Sequence, residues 1–193
     1  MQIIKYPHPT LRHKSKPLRR VDAQLRKIAS EMLELMYDDH GVGLAANQVD
    51  LPYRLVVINI QSDPEAADEE LVLINPVISK RSGAAEADEG CLSLPEVWAP
   101  VRRADKIELI AYDLSGNERK FQLDGLYARA AQHEIDHLDG VLFIDRLGPT
   151  AKLSVKEPLS SLERQFATDR ERGFIPGDEE IARRLAELEE ERT

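Results

Sequence analysis

The sequence of 193 residues contains a single cysteine, Cys91, few aromatic residues (5%) and no long uninterrupted apolar run. One cysteine excludes a disulfide within the chain and favours a reducing compartment, the cytoplasm. Because a membrane-spanning helix needs about 20 consecutive apolar residues, none is predicted. Residues 1–18 lack the apolar stretch of a secretory signal. These absences favour a folded cytoplasmic protein that does not bind membranes.

A surplus of acidic residues gives the chain a formal net charge of −9, from 35 Asp and Glu against 26 Lys and Arg. This balance argues against broad or sequence-specific binding to nucleic acids, although a local basic patch is compatible with it. The length suits one domain of ordinary size, or one domain with an appendage, and is enough to bury a core without disulfides.

Apolar periodicity predicts two principal helices. The first follows Asp22, a candidate N-cap, and stops near Gly41, and the second covers residues 125–138. Short β-branched runs and one turn-rich hairpin predict four strands, over residues 55–58, 71–74, 106–112 and 119–123. Pro76 predicts an edge or an end for the second of these strands.

The character of the chain changes near residue 150. We expect residues 1–149 to form one α+β catalytic domain and residues 150–193 to form a charged, helical C-terminal tail. Ile181, Leu185 and Leu188 form a narrow apolar stripe in this tail. The interpretation that we favour is a solvated surface helix, and the alternative is a partner-binding helix. We expect the tail to be dispensable for chemistry.

The residues His133-Glu134-Ile135-Asp136-His137 form an H-E-x-x-H motif inside the second predicted helix. Residues four apart lie on one face of a helix, so both imidazoles can reach one metal ion. Glu134 lies beside the first histidine, where its carboxylate can act as general base on a water held by that metal. The alternative is a surface helix with two unrelated histidines. It is disfavoured because two of only five histidines flank this glutamate.

A catalytic metal needs three protein ligands and one open position, so a third ligand is required. The extended motif of one metalloprotease class would place a histidine where this chain has Phe143. Glu157 and Glu163 are available, but Glu157 precedes a proline in a segment without a strong helical core. The remaining candidate is Cys91, in a strand that we expect Pro95 to end. A lone cysteine is more often a buried apolar residue, but its thiolate would complement two imidazoles and suit Zn²⁺ or Fe²⁺.

A run of small residues follows the first predicted helix, Gly41-Val42-Gly43-Leu44-Ala45-Ala46-Asn47-Gln48. Its glycines allow a ligand to approach the backbone closely, and the Gln48 amide can donate to a developing oxyanion. The run lacks the Lys-Ser/Thr ending and the preceding strand of a phosphate-binding loop. A helix C-cap with tight packing explains this motif almost as well.

Taken together, three segments resemble the signature motifs of the peptide deformylases, in the order found in that family: GVGLAANQ (41–48), EGCLSL (89–94) and QHEIDHL (132–138). The resemblance extends over about residues 4–147. It implies a mixed α+β fold, with mainly antiparallel sheets around a central metal-binding helix. It also implies removal of the formyl group from N-formylmethionyl nascent peptides, with release of formate. Transient ribosome association is a further expectation for partners.

Carried over by position, the resemblance also implies roles for individual residues. The metal ligands would be Cys91, His133 and His137. Glu134 would be general base and acid, and Gln48 with the backbone N–H of Leu92 would bind the oxyanion. Substrate-binding residues would be Val42, Gly43, Leu44, Glu89, Gly90 and Ala130. The metal would be Fe²⁺ in the cell, with Zn²⁺, Ni²⁺ or Co²⁺ able to occupy the same site.

Several positions depart from the common pattern of that family. Asn47 stands where proline is frequent and Asp50 where glycine is frequent, and neither is a catalytic position, so only the rigidity of the loop is affected. Trp98 lies past the cysteine motif, where family members vary. Ala130 and Ala131 replace residues that are often bulkier, which affects the depth and tolerance of the methionine pocket.

Two other functions are compatible with parts of the pattern. An endopeptidase of the H-E-x-x-H type would cleave internal amides, but its third histidine or glutamate is missing. A non-catalytic metal-binding or ribosome-associated protein could keep the fold, although loss of Glu134 or Gln48 would then be expected and both are present. Release of formate from a formyl-Met peptide separates all three functions.

Overall fold

Seven strands form two sheets in the computed structural model, which describes residues 1–193. The larger sheet has the order β1-β2-β3-β6-β7, and the smaller one is the hairpin β4-β5, with antiparallel pairing between all neighbours. The strands are β1 Gly43–Ala45, β2 Leu55–Ile58, β3 Leu71–Ser82, β4 Ala85–Cys91, β5 Leu94–Arg103, β6 Lys106–Tyr112 and β7 Glu118–Asp124. The mainly antiparallel α+β architecture is as predicted.

Five α-helices complete the fold: α1 Ala23–Asp38, α2 Gly125–Leu138, α3 Pro149–Ser154, α4 Lys156–Glu171 and α5 Asp178–Arg192. Short 3₁₀ turns lie at Pro9–Arg12, Ala46–Val49, Ala67–Glu69 and Phe143–Arg146. None of the helices has the length and apolar character required to span a bilayer.

Helix α1 begins where the sequence predicts. The Asp22 carboxylate accepts a hydrogen bond from the backbone N–H of Leu25 at 2.9 Å, as an N-cap does. The helix ends at Asp38, slightly before the predicted stop at Gly41. His40, and not the glycine, adopts the left-handed backbone conformation, with φ of 54°.

The large sheet lies between α1 and α2. Two hydrophobic clusters lie on opposite faces of this sheet, one with Leu25, Met32 and Met36 of α1 and the other with Ala128, Ala131 and Leu138 of α2. In β2, Leu55 and Val57 pack in the cluster that contains α1, while Val56 and Ile58 pack in the cluster that contains α2. Burial on both faces explains why this strand is a continuous apolar run, without polar alternation. Complete burial of side chains of this size stabilises the fold by about 1.5–3 kcal/mol each. The same packing fixes α2 against β1 and β2.

Strand β3 continues past Pro76 to Ser82, so the predicted end is wrong, but its pairing with β2 stops at Ile74, which leaves an edge on that side at the proline. The register with β6 shifts between Ile74 and Val77, so the proline lies in an irregularity where the ladder needs no donor from it. Asn75 adopts φ of 53°, and its side chain exchanges two hydrogen bonds of 2.8 Å with the backbone of Leu18.

The hairpin β4-β5 was not predicted as a pair of strands. The sequence predicts that Pro95 ends a strand, and this prediction is wrong. Pro95 is the second residue of β5. It is tolerated because it stands near the start of a strand in a two-stranded sheet. The turn after Cys91 brings Leu94 opposite that cysteine, so Cys91 lies at the closed end of the hairpin.

The tail is helical, but it is packed more closely than predicted. Val155 is buried with the cluster that contains β5, and Ile181 and Leu185 are also buried. The prediction of a solvated helix is wrong for one face of α5, where Glu189 and Arg192 are buried too. The division of the chain at residue 149 stays a prediction.

Helix α4 occupies the segment judged to lack a strong helical core. Pro158 lies in its first turn, where a proline ring is compatible with helical geometry. Neither candidate glutamate of this helix, Glu157 or Glu163, belongs to the cluster of metal donors. The side chain of Glu157 is 82% exposed, and Glu163 accepts a hydrogen bond from Tyr6.

Candidate metal centre and active site

The structure brings Cys91, His133 and His137 together. Their donor atoms all lie within 4.8 Å of one another, and Cys91 Sγ is 3.2 Å from His137 Nε2. Helix α2 presents the two histidines one turn apart, and the end of β4 presents the cysteine. Two imidazoles and one sulfur around a common point are a donor set for a soft or borderline divalent metal.

Glu89 holds one of these imidazoles. Its Oε2 lies 3.0 Å from His133 Nδ1, which leaves the other ring nitrogen available as a ligand. Burial by itself would raise the pKa of Glu89, but hydrogen bonds from His133 and Arg103 outweigh it and lower that pKa to about 2. Glu89 lines the cavity as expected, but both its carboxylate oxygens are engaged by these neighbours.

Arg103 links the hairpin to helix α2. Its side chain is 2% exposed and contacts both Glu89 and Asp136, the latter at 2.7 Å. Asp136 also binds Arg146, and Glu89 also binds Arg129. The sequence motifs assigned no role to these contacts. Two local signals pointed to them: Asp136 lies inside the H-E-x-x-H motif, and Arg103 continues the alternating buried positions of β5.

Glu134 is buried beside the metal donors, with 4% of its surface exposed. Its Oε2 has no hydrogen-bond partner. Burial raises the pKa of Glu134 to about 7, although the charges of His133 and Arg103 oppose that rise. A carboxyl group that changes protonation near neutral pH is suited to accept a proton and to deliver it again.

Gln48 is oriented towards the same point. It lies on the 3₁₀ turn Ala46–Val49 and is 1% exposed. Its Oε1 accepts the backbone N–H of Ala45 at 2.8 Å, which directs Nε2 to within 3.5 Å of Cys91 Sγ. Leu92 follows Cys91 in the turn of the hairpin and lines the same cavity.

A cavity of about 500 Å³ opens over this cluster. It is lined by most of the predicted substrate-binding residues: Val42, Gly43, Glu89, Gly90 and Ala130. Leu44 is the exception, because it is fully buried in the cluster that contains α1. A Cβ atom at Gly43 would lie 2.6 Å from Glu134 Oε1, so a glycine is required for the backbone to approach that carboxylate. The lining also includes Trp98, Leu126 and Arg129, which the motifs did not identify.

This arrangement defines a class of protein. A three-donor cluster lies beside a buried, unpartnered carboxylate and an oriented amide, and Cys91, His133, Glu134 and Gln48 line one cavity. This is the arrangement of a metal-dependent hydrolase.

Comparison with known proteins identifies the family. The sequence profile of the family described as polypeptide deformylase matches residues 1–153. A peptide deformylase of Rhodopirellula baltica is 44% identical over 189 residues, covering 98% of this chain and 94% of that protein.

Solved structures agree with this assignment. The Arabidopsis thaliana peptide deformylase 1B, in complex with an inhibitor, is 38% identical with a TM-score of 0.84, covering 92% of this chain and 97% of that chain. A peptide deformylase of Plasmodium falciparum is 34% identical with a TM-score of 0.84, covering 86% and 98%. The chain belongs to the peptide deformylase family, metal-dependent hydrolases that remove the N-formyl group from newly made polypeptides.

Proposed function

We propose that Cys91, His133 and His137 bind one divalent metal ion, and that the surrounding residues use it to hydrolyse the formyl amide of N-formylmethionyl peptides. The observation that carries this proposal is the unpartnered Glu134 Oε2, buried beside three converging donors. A buried carboxylate oxygen without a partner is costly unless it serves a ligand or a reaction.

The donor set fits the metals expected from the sequence. A thiolate with two imidazoles suits Fe²⁺ and Zn²⁺, and Ni²⁺ and Co²⁺ accept the same ligand types. We propose Fe²⁺ as the ion in the cell, as the resemblance of the motifs implies. When bound, such an ion supplies Lewis acidity towards a water molecule and a carbonyl oxygen. The Glu89 carboxylate supports the site by holding His133 in one orientation.

Glu134 moves the proton in the proposed reaction. Its carboxylate accepts a proton from the attacking water and then delivers it to the leaving amine, which is a poor leaving group without it. Burial raises the pKa of the Glu134 carboxyl, which favours its uptake of a proton from water. The Nε2 group of Gln48 and the backbone N–H of Leu92 donate to the negative charge that develops on the formyl oxygen.

Residues of the cavity select the substrate in this proposal. Val42 and Ala130 contact the methionine side chain, while Leu44 supports the wall from behind, where it is buried. Apolar pockets discriminate by about 1–3 kcal/mol per methylene, so other apolar first residues are processed more slowly. We further propose that the enzyme works in the cytoplasm and meets its substrates in transient association with the ribosome.

The test combines metal analysis of anaerobically purified protein with an assay of formate release from formyl-Met-Ala-Ser. We expect one divalent ion per chain, and we expect the variants Cys91→Ser and His137→Ala to lose both metal and turnover. Formate release that persists after removal of the metal by a chelator would contradict the proposal. Cleavage of internal amides instead of formate release would support the endopeptidase function.

The identity of the metal is tested by its sensitivity to oxygen. A thiolate beside Fe²⁺ exposes both the sulfur and the metal to oxidation. We expect the Fe²⁺ form to lose activity in air and the Zn²⁺ and Ni²⁺ forms to persist. Equal lifetimes in air and under argon, with iron measured in the protein, would contradict Cys91 as a ligand of a redox-active metal.

A further inference from the structure

The turn that carries Gln48 is tied to helix α5 through Asp50. Asp50 has left-handed backbone angles, with φ of 63°, and its N–H donates to the carbonyl oxygen of Asn47, which closes the turn. The Asp50 carboxylate accepts a hydrogen bond from the Thr10 hydroxyl and forms an ion pair with Arg184 of α5. Arg184 Nη1 also donates to the Asp50 carbonyl oxygen at 3.3 Å. One side chain of α5 therefore holds both the carboxylate and the backbone of Asp50.

A second set of contacts reaches the residue before Gln48. Asn47 is fully buried, and its Oδ1 accepts a hydrogen bond of 2.9 Å from the hydroxyl of Ser15. Asn47 Nδ2 donates to the carbonyl oxygen of His13 at 2.8 Å. His13 Nε2 in turn lies 2.8 Å from Glu189 Oε1 on α5. Helix α5 is therefore connected to the residues on both sides of Gln48.

Helix α5 is itself firmly anchored. The side chain of Arg192 is fully buried, and its two terminal nitrogens donate to Asp22 at 2.7 Å and to Gln24 at 2.9 Å. Ile181 and Leu185 are 2% and 3% exposed. Hydrogen bonds to charged groups and burial of apolar side chains both stabilise this position, so α5 can hold a neighbouring turn in place.

We propose that α5 is a positioning element for Gln48, with Arg184 and Glu189 as the positioning residues. This inference rests on the proposed role of Gln48 as an oxyanion donor. The hydrogen bond from the Ala45 N–H to Gln48 Oε1 spans the turn, so relaxation of the turn rotates the amide away from the site. The metal donors and Glu134 lie on β4 and α2, whereas Arg184 contacts Asp50, so we expect loss of the Arg184 contact to lower kcat without removing the metal. This proposal departs from the expectation that the tail is dispensable for chemistry, because residues of α5 would act on the reaction through Gln48.

The first experiment removes the contact in the full-length, metal-loaded enzyme. Arg184→Ala lowers kcat by about fivefold, the loss expected for one partly exposed charged contact, while KM and metal content stay unchanged. Arg184→Lys restores part of kcat, because a cation again faces Asp50. The matched control is Arg183→Ala, since Arg183 is exposed on the same helix. Full kcat in Arg184→Ala would overturn the proposal.

A double-mutant cycle separates positioning from general destabilisation. In a Gln48→Ala background, Arg184→Ala produces no further fall in kcat, because its effect passes through Gln48. Its effect on the thermal midpoint is the same in both backgrounds. An equal fold-loss of kcat in both backgrounds would overturn the positioning role. If Gln48→Ala itself retains full kcat, the proposed role of Gln48 fails, and this inference fails with it for that separate reason.

Discussion

Arg103 is a buried cation that supports the proposed metal site. It joins β5 to α2 by contacting Glu89, which holds His133, and Asp136, which lies in the same helix as both histidines. The variant Arg103→Met fills a similar volume but supplies no charge and no hydrogen-bond donors. Glu89 and Asp136 would then be anions in a site from which water is largely excluded.

The structure sets the size of the expected effect. Removing one partner of a buried ion pair costs about 3–5 kcal/mol, because the remaining charge is left without compensation. Here Arg129 still faces Glu89 and Arg146 still faces Asp136, so the lower end, about 3 kcal/mol, is expected. For a chain of this size, about 2–4 °C is lost per kcal/mol, so Tm falls by about 6–12 °C. Metal affinity falls by about tenfold, because the orientation of His133 is less restricted.

Thermal unfolding followed by circular dichroism, with and without added Zn²⁺, measures the first effect, and a Zn²⁺ titration measures the second. The control is Arg102→Met, at the neighbouring exposed position of the same strand. We expect this control to unfold like the unmodified protein. If Arg103→Met had the same Tm and zinc affinity as Arg102→Met, the reasoning about this buried network would be refuted.

Three further predictions concern other parts of the site and its support. Glu134→Gln keeps the metal but lowers kcat by about two to four orders of magnitude, because the general base is removed. Metal analysis and formate release measure these effects, and near-normal turnover would exclude Glu134 as the base. Gly43→Ala lowers kcat, since its Cβ would lie 2.6 Å from Glu134 Oε1, whereas Gly148→Ala, with open space around it, retains kcat. Hydrogen bonds from two basic neighbours outweigh burial and lower the pKa of Glu189 from its ordinary 4.5. The stabilising contribution of Glu189 is therefore present above pH 4.5 and lost as the pH falls below it. Between pH 7 and pH 3, the thermal unfolding midpoint of Glu189→Gln therefore declines less steeply than that of the unmodified protein.

Much of the candidate site was predictable because its signals are local. The H-E-x-x-H spacing places both histidines on one helical face whatever the rest of the chain does, and the bounds of α2 agree with the apolar pattern. The contact between Asp22 and the start of α1 is also local. The three motifs in their order were enough to identify the family that the comparisons confirm.

Other features depended on contacts between distant parts of the chain. The pattern of small residues around Leu44 does not distinguish a side chain that lines a cavity from one that supports it, and packing against α1 decides this. The narrow apolar stripe of Ile181, Leu185 and Leu188 predicts a solvated surface helix. In the structure, the buried polar residues Glu189 and Arg192 also pack this helix against the domain. Arg192 is buried because Asp22, at the other end of the chain, supplies a matching charge.

The sequence by itself therefore determined the candidate chemistry: the side chains proposed to bind a metal, the carboxylate proposed to transfer a proton, and the helix that presents them. Only the tertiary structure decided how these groups are held. Cys91 meets the histidines because the hairpin β4-β5 folds over α2, and Arg103 compensates the charges of Glu89 and Asp136 across that contact. Helical periodicity is a property of neighbouring residues, whereas charge compensation in a buried site depends on residues that only folding brings together.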